Sequence, residues 1–245
     1  MDTRKEFIID VGIKKITILE KLHETIILND INFKIATGEI YTIIGENGSG
    51  KTTLLKSLTR LLSPEKFLIE GKIIFKDKNL LQIDAVELNE IRKKNIKYVF
   101  QDAKTSFDPL KKLEYYFRFA GEDKEPIKKL LDYFELPSIG EFSKMHGYEL
   151  SGGMAQRFVI VLALSANPDL LILDEPTSAI DVGSANLLKI KLRDFIKDNH
   201  NSVLIVTQNL EFAKKSSDKI ARISENSISE ISHFDSASNL GNSEL

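Results

Sequence analysis

The first part of the chain carries hydrophobic residues at every second position over short stretches. Within residues 6–35, Ile31, Phe33 and Ile35 alternate with polar neighbours, which is the spacing of a strand with one buried face. Residues 40–44 form a short, mostly apolar run, as expected of a strand buried on both faces. The pattern therefore predicts strands within 6–35 and a buried strand at 40–44.

The hydrophobic spacing becomes helical directly after a glycine-rich turn. Five leucines between Lys51 and Leu62 share one face of a predicted helix, and Ser63-Pro64 ends it. Farther along, strands are predicted at 71–76, 96–100, 170–173 and 203–207, and helices from 151 onward, at 182–199 and at 209–217. Alternating strands and helices imply a mostly parallel sheet with helices on both faces.

Two segments depart from this alternation. Residues 108–149 carry apolar residues interrupted by Pro126, Pro137 and Gly140, which indicates a helical insertion rather than more sheet. The chain from 224 onward is rich in Ser, Asn and Glu. We expect its first part to pair as edge strands and the residues from Ser236 to form a loose tail.

Composition and charge narrow the function classes. The chain has 245 residues, 42% of them hydrophobic, and its net charge is −2, which argues against a nucleic-acid partner. It contains no cysteine, so disulfides, cysteine zinc sites and iron–sulfur clusters are excluded. No stretch approaches the ~20 apolar residues of a membrane helix, and the first residues do not resemble a signal peptide. We therefore expect a cytosolic protein.

Residues 45–52 fit the pattern G-x-x-x-x-G-K-[ST] between a predicted strand and a predicted helix. Glycines let successive backbone N–H groups curl around phosphate oxygens, and the helix N-terminus attracts the same anion. Lys51 adds a charge for the outer phosphates of ATP, and the Thr52 hydroxyl can ligate Mg²⁺. The predicted ATP-binding residues here are Gly45, Glu46, Asn47, Gly48, Ser49, Gly50, Lys51, Thr52 and Thr53.

Two acids follow a run of four apolar residues at 170–173. Ligands bind at the carboxyl ends of parallel strands, and both Asp174 and Glu175 lie at such an end. We predict that Asp174 holds Mg²⁺ through a water. We predict that Glu175 is the general base for the water that attacks the γ-phosphate.

A third motif, LSGGMAQR at 150–157, resembles the signature sequence of the ATPases of ABC transporters. The resemblance extends over nearly the whole chain, because Gln101 is placed like the Q-loop glutamine and residues 178–181 like the D-loop. It implies an α/β fold of the P-loop NTPase class, ABC type. That fold has a mixed core sheet, an antiparallel N-terminal β part and a helical subdomain inserted after the Q-loop.

The resemblance also implies roles and boundaries. Gln101 joins Thr52 and Asp174 at the metal, and the D-loop residues are Ser178 and Asp181. A single ATP-binding domain is expected over 1–235, with its core at about 1–100 and 168–235 and the helical subdomain at about 102–167, followed by the tail at 236–245. The signature residues that would contact a partner's ATP are Ser151, Gly152, Gly153 and Gln156.

The family arrangement is a head-to-tail dimer, in which each ATP lies between the phosphate loop of one subunit and the signature of the other. Ser151 with the Gly152 and Gly153 amides, at a helix start, would form the second anion-binding site. The implied partners are a second ATPase subunit, identical or different, transmembrane permease subunits and, indirectly, an external substrate-binding protein. The implied location is peripheral, on the cytoplasmic face of the membrane.

Two short segments resemble the corresponding sequences of the peptide/nickel importer group. They are residues 100–109 and His146-Gly147-Tyr148-Glu149, directly before the signature. This favours an energy-coupling ATPase of an importer for peptides or nickel or metal chelates. The alternatives are a regulatory ATP-binding subunit with slow hydrolysis and an ATPase acting on DNA or ribosomes. Four aromatic residues of the helical insertion would either line a groove that receives the permease or belong to the core. They are Phe107, Tyr115, Tyr116 and Phe119.

Two positions depart from the family pattern. The family places a histidine after a strand about thirty residues beyond the catalytic glutamate. Here Gln208 takes that place, 33 residues after Glu175. Glutamine can donate a hydrogen bond but carries no charge. We expect either a slowed site or one at which Gln208 supports ordinary turnover. The aromatic residue that stacks on adenine in the family is also missing, which leaves Leu22 or His23 at that position. His23 is the predicted contact, and the alternative is that it is an exposed loop histidine.

Overall fold

Two long strands open the described part of the chain, and they pair antiparallel as their alternation predicts. The structure is a computed structural model that describes residues 6–20, 23–120, 124–197 and 200–231. Within these ranges, the first sheet has the four strands β1 (Phe7–Leu19), β2 (Glu24–Ala36), β4 (Phe67–Phe75) and β5 (Lys78–Asn79). Their order in the sheet is β2-β1-β4-β5.

The second sheet carries the strand ends on which the predicted site residues lie. Among the described residues its six strands are β3 (Ile40–Ile44), β6 (Ile96–Val99), β7 (Leu170–Asp174), β8 (Ser202–Thr207), β9 (Lys219–Ser224) and β10 (Ser227–Glu230). Their order in the sheet is β10-β9-β3-β8-β7-β6. All neighbours pair parallel except β10 with β9, which is antiparallel.

The second sheet separates two hydrophobic cores because its central strands are buried on both faces. Leu170 and Ile172 pack with the antiparallel sheet, whereas Leu171 and Leu173 pack with the helical segment between β6 and β7. The helices are α1 (Lys51–Leu58), α2 (Ala85–Lys94), α3 (Glu114–Phe117), α4 (Glu125–Tyr133), α5 (Ile139–Phe142), α6 (Gly152–Ser165), α7 (Val182–Phe195) and α8 (Leu210–Ser216). Three short 3₁₀ turns also lie in the described part, at Ala103–Ser106, Arg118–Ala120 and Gly147–Glu149.

The predicted α/β class, the mixed core sheet and the helical insertion are confirmed, but some boundaries differ. The first helix ends at Leu58 rather than Leu62, because Arg60 adopts a left-handed φ of 51°. Helix α2 was not predicted, although Asp84 caps it by accepting hydrogen bonds from the N–H groups of Val86 and Glu87. The predicted tail from Ser236 lies outside the described residues.

Aromatic packing holds the helical segment together around Phe158 in α6. This side chain is fully buried, and its ring stacks on Phe142 with centroids 4.6 Å apart. Phe107 and Phe117 also contact it, at centroid distances of 5.9 and 5.6 Å. Phe107 therefore belongs to the core, whereas Tyr115 and Phe119 are exposed to 36% and 50%.

We predict that Phe158→Ala lowers the free energy of unfolding by about 3–5 kcal/mol, because it leaves a cavity among rings that cannot collapse fully. Urea denaturation measures this. Tyr148→Ala is the matched control, since Tyr148 is 67% exposed and its loss should cost about 0.5 kcal/mol or less. Equal losses for the two variants would contradict the assignment of Phe158 to the core.

Candidate functional site

A six-residue loop joins the buried strand β3 to the start of α1. Gly48 and Gly50 have φ angles of 80° and 93°, which residues other than glycine adopt only with strain. A Cβ atom at Gly50 would also lie 2.8 Å from Leu28 Cδ2 in β2. The path predicted for a phosphate loop is therefore the path that the chain takes, and the N-terminus of α1 opens onto it.

The Lys51 ammonium lies over this loop although it is nearly buried. Its Nζ donates hydrogen bonds to the carbonyl oxygens of Gly45 and Glu46, over 2.8 and 2.7 Å. It also lies 3.9 Å from Glu175 Oε1, and both side chains are 7% exposed. The positive charge is thereby held between the loop and the acidic strand end.

Two cavities lie beside the loop, and most of the predicted ATP-binding residues line one or both of them. The larger, about 710 Å³, is lined by residues 44–49 together with Gln208, Leu210 and residues 222–225. The smaller, about 290 Å³, is lined by Ile27, Asn47, Gly48, Gly50, Lys51, Thr52, Thr53, Gln101 and Glu175. Residues from β2, α1 and the ends of β6 and β7 thus meet at one edge of the sheet.

Asp174 ends β7 on the face that packs toward α1, because side chains alternate along the strand. It is 1% exposed, and its Oδ2 accepts a hydrogen bond from the Tyr98 hydroxyl over 2.9 Å. Burial raises the pKa of Asp174, while the hydrogen bond from Tyr98, the nearby Thr52 hydroxyl and the charge of Lys51 oppose that shift.

The second carboxylate oxygen of Asp174, Oδ1, is available to a metal ion. Asp174 Oδ1 is buried and has no hydrogen-bond partner among the described residues. A buried carboxylate oxygen of this kind is a suitable ligand for Mg²⁺ or for one of its waters. The residues present therefore fit a magnesium ion near Asp174, Thr52 and Gln101.

Glu175 is held by both of its carboxylate oxygens. Oε2 accepts a hydrogen bond from the Thr207 hydroxyl over 2.8 Å, and Oε1 accepts one from the Gln208 main-chain N–H over 2.9 Å. Its φ of 46° is left-handed, a strained conformation of the kind found at functional sites. The end of β8 therefore fixes the direction of this carboxylate.

The sequence profile of the ABC transporter family matches residues 28–178, which include the phosphate loop, the signature and the acidic strand end. The chain belongs to the ABC transporter family. It carries the ATP-binding ATPase domain of that family, as the motifs predict.

Three curated relatives show the range of similarity within this ABC family. A dipeptide transport ATP-binding protein of Bacillus subtilis is 30% identical over 82% of this chain and 63% of its own length. An oligopeptide transport ATP-binding protein of Escherichia coli is 30% identical over 79% and 60%. A metal-staphylopine import ATP-binding protein of Staphylococcus aureus is 29% identical over 85% and 80%. The chain spans about three fifths of the length of the dipeptide and oligopeptide relatives.

Solved ABC cassettes have the same fold. The dimeric structure of a post-hydrolysis state bound to ADP and Pi aligns with a TM-score of 0.76, at 24% identity, over 92% of this chain and 100% of the other. A second ABC chain, described as the ATP-binding subunit of a transporter, aligns with a TM-score of 0.72 at 22% identity, over 90% and 88%. These structures confirm the predicted fold class.

The ABC signature lies at the start of α6. Ser151 caps the helix, since its Oγ accepts a hydrogen bond from the Met154 N–H over 3.1 Å. The described cavities beside the phosphate loop are not lined by Ser151, Gly152 or Gly153. The fourth predicted signature residue, Gln156, is not at the surface of the protein, because its side chain in α6 is fully buried. The prediction that Gln156 contacts a partner's ATP therefore does not fit its position.

The D-loop packs directly behind the signature. A Cβ atom at Gly153 would lie 3.0 Å from the Ala179 carbonyl oxygen, and the Ser178 N–H donates to the Glu175 carbonyl over 3.1 Å. Asp181 caps α7 by accepting hydrogen bonds from the Ser184 N–H and hydroxyl, over 2.9 and 2.7 Å. This segment therefore joins the signature to the acidic strand end within one chain.

The two departures from the family pattern lie in different places. Gln208 is exposed and lines the larger cavity beside the phosphate loop. His23 is exposed in the turn before β2 and lines neither described cavity, whereas Ile27 lines the smaller one. The structure therefore brings Gln208 to the site, whereas the adenine contact of His23 stays a prediction, and Leu22 lies outside the described residues.

Several residues at the site were not predicted from the sequence. Tyr98 and Thr207 hydrogen-bond to the two acids, and Arg222 lines the larger cavity. Their contacts cross from one strand to another, so local motifs do not reveal them. The available signal is the parallel sheet itself, which places Thr207 and Arg222 on either side of Ile44.

We predict that Thr207→Val lowers the ATP turnover number about tenfold and leaves KM for ATP nearly unchanged. The substitution keeps the shape but removes the hydrogen bond that orients Glu175, and a hydrogen bond to a charged group contributes about 1.5–3 kcal/mol. Steady-state phosphate release measures both constants.

Thr42→Val is the control for this prediction. Thr42 is also fully buried, in the adjacent strand β3, and its hydroxyl is 2.5 Å from Ser217 Oγ, away from the acids. A similar fall in turnover for both variants would contradict a specific role of Thr207.

Proposed function

We propose that this chain is the ATP-hydrolysing, energy-coupling subunit of an ABC importer. The observation that carries the proposal is the convergence of Lys51, Asp174 and Glu175 on the phosphate loop, each side chain nearly buried. Three charges in a site with little water act more strongly on a phosphate chain than they would in solution. ATP is the nucleotide and Mg²⁺ the metal that we assign to this site.

Glu175 is the general base in this proposal. It takes a proton from a water molecule as the water oxygen bonds to the γ-phosphorus and the bond to the β–γ bridging oxygen breaks, so that ADP and phosphate leave. The hydrogen bonds from Thr207 and from the Gln208 main chain keep its carboxylate in one orientation. Lys51 and the N–H groups at the start of α1 bind the phosphate oxygens.

We assign Thr52, Asp174 and Gln101 to the metal, and Gly45 to Thr53 to the nucleotide phosphates. Bound Mg²⁺ supplies positive charge that offsets the charge on the outer phosphates. The unpartnered Asp174 Oδ1 supports this assignment, and so does the presence of Thr52 and Gln101 in one cavity.

The active unit that we propose is a head-to-tail dimer. Ser151, Gly152 and Gly153 form an anion-binding helix start that lies outside the chain's own phosphate-loop cavities. In the proposed dimer they cover the ATP of the other subunit, with Ser178 and Asp181 beside them. The partner is a second ATPase subunit, of the same or a different sequence.

The coupling partners follow from the relatives' names, which refer to dipeptide, oligopeptide and metal-staphylopine transport. We propose that the chain acts on separate transmembrane permease subunits, and indirectly with an external substrate-binding protein, in the uptake of a peptide or metal chelate. Among the described residues, no helix is long and apolar enough to cross a membrane. The proposed location is the cytoplasmic face of the membrane.

The domain division that we propose has one ATP-binding domain at 1–235. Its core comprises about 1–100 and 168–235, and the helical subdomain about 102–167. The position of α3 to α6 between β6 and β7 supports this division.

We predict Mg²⁺-dependent ATP hydrolysis by the purified dimer, with turnover lowered about 10²–10⁴-fold by Glu175→Gln because the general base is lost. Phosphate release and equilibrium ATP binding are measured together. Glu211→Gln is the matched control, since Glu211 is an exposed acid paired with Lys215 in α8.

Each result of this experiment decides one part of the proposal. Turnover that survives Glu175→Gln would exclude Glu175 as the base, and absence of ATP binding would overturn the proposed function. ATP binding without turnover by the chain alone would mean that a different ATPase subunit or the permease completes the site.

We propose that Gln208 slows ATP hydrolysis at the site formed by this chain's phosphate loop, because an uncharged amide stands where the family pattern has a histidine. The intact Asp174 and Glu175 favour hydrolysis over a purely regulatory role. We predict that Gln208→His raises turnover, by less than the roughly 10²–10³-fold that one full transition-state donor contributes.

The matched control for Gln208 is His200→Gln. His200 is an exposed residue that lies at a separate cavity with Lys76 and Asp169, so its replacement should leave turnover unchanged. No rise in turnover with Gln208→His would show that glutamine supports ordinary hydrolysis and would remove the slowed-site hypothesis.

A further inference from the structure

Tyr98 in β6 lies beside the acid to which we assign the metal. β6 pairs parallel with β7, and Tyr98 is opposite Ile172, two residues before Asp174. Since side chains alternate along strands, Ile172, Asp174 and Tyr98 share the face that packs toward α1. The Tyr98 hydroxyl therefore reaches Asp174 Oδ2, at 2.9 Å.

The hydroxyl is the donor in this contact. The carboxylate oxygen accepts the hydrogen bond, and the phenol O–H supplies it. Asp174 in turn has one oxygen fixed by Tyr98 and one buried oxygen, Oδ1, without a partner among the described residues. The contact leaves one defined oxygen of the carboxylate free.

We propose that Tyr98 is a positioning residue for the magnesium site: its hydroxyl holds Asp174 Oδ2 so that Oδ1 is directed to the ion or to its water. The inference rests on the proposed function, because it assumes that Mg²⁺ accompanies ATP. Groups that hydrogen-bond to metal ligands orient them, and their loss lowers metal affinity about 10–100-fold.

Tyr98 also connects Asp174 to the loop that bears Gln101. Its ring packs against Phe100, with centroids 4.4 Å apart and a tilt of 42°, and Gln101 follows Phe100 directly. One side chain thus contacts both β7 and the segment that leads to the second assigned metal residue. The ring supplies packing and the hydroxyl supplies orientation, so Tyr98→Phe separates the two contributions.

Tyr41 in β3 offers a matched control. Tyr41 is fully buried, whereas Tyr98 is partly buried; Tyr41 stacks on Phe33 with centroids 5.4 Å apart and donates its hydroxyl to Glu230 Oε1 over 3.3 Å. Neither described cavity beside the phosphate loop is lined by Tyr41 or Glu230. Tyr41→Phe therefore removes a comparable tyrosine–carboxylate hydrogen bond without touching the site.

The experiment is equilibrium binding of a fluorescent ATP analogue as Mg²⁺ is titrated from zero, with EDTA at the start. All variants carry Glu175→Gln, so that hydrolysis does not disturb the equilibrium. We expect Tyr98→Phe to raise the Mg²⁺ concentration at half-effect about tenfold or more and to leave binding in EDTA unchanged. Tyr41→Phe should change neither value.

A second pair of variants separates orientation of Asp174 from general loss of structure. In an Asp174→Asn background the metal ligand is already altered, so adding Tyr98→Phe should no longer move the Mg²⁺ midpoint. An equal shift in both backgrounds would overturn the proposal, as would an unchanged midpoint in Tyr98→Phe alone. Loss of nucleotide binding in EDTA would also overturn it, because Tyr98 would then support the fold rather than the metal ligand.

The same titration distinguishes this inference from the proposed function. If the protein with Tyr98 intact binds no ATP analogue, or binds it without any effect of Mg²⁺, the proposed function fails. If that protein responds to Mg²⁺ and Tyr98→Phe responds identically, only the role of Tyr98 fails.

Discussion

Parallel pairing of β3, β8 and β7 is the constraint on which the whole site depends. Ile44 lies opposite Thr207, and Val206 lies opposite Asp174, so the three strands end at the same level. The phosphate loop, the Gln208 segment and the two acids therefore leave the sheet side by side. A slip of one residue in β7 would turn Asp174 toward the helical segment. The burial of all three strands on both faces opposes such a slip.

The same pairing makes it possible to bury charge. An isolated buried ion is costly, yet Lys51, Asp174 and Glu175 are each at least nine-tenths buried. Loop carbonyls accept hydrogen bonds from Lys51. Neighbouring strands supply the Thr207 hydroxyl and one main-chain N–H to the two oxygens of Glu175, and the Tyr98 hydroxyl to one oxygen of Asp174. The site is thereby organised before a nucleotide arrives, which is the condition under which fixed charges assist phosphoryl transfer most.

Sequence patterns predict the parts of this arrangement that are local in the chain. The phosphate loop and the acids after an apolar strand are short motifs, and the strands follow from period-two spacing or from short apolar runs. The patterns did not predict Tyr98 or Thr207, because each acts on a residue about 30 or more positions away. They also misplaced Gln156, whose motif suggests a contact while the helix turns it into the core. The end of α1 depends on the left-handed Arg60, which leucine spacing does not reveal.

The contact between Glu175 and residue 208 explains why the family pattern can change at this position. It is the main-chain N–H of Gln208 that holds Glu175 Oε1, and every residue except proline offers that N–H. Exchange of a histidine for glutamine therefore leaves the Glu175 carboxylate in place and alters only the side chain that faces the larger cavity. In the proposed dimer that cavity belongs to one ATP, while the Ser151 signature serves the other. The substitution then acts on one of the two ATP sites, and this chain's contribution to the second site is unaffected.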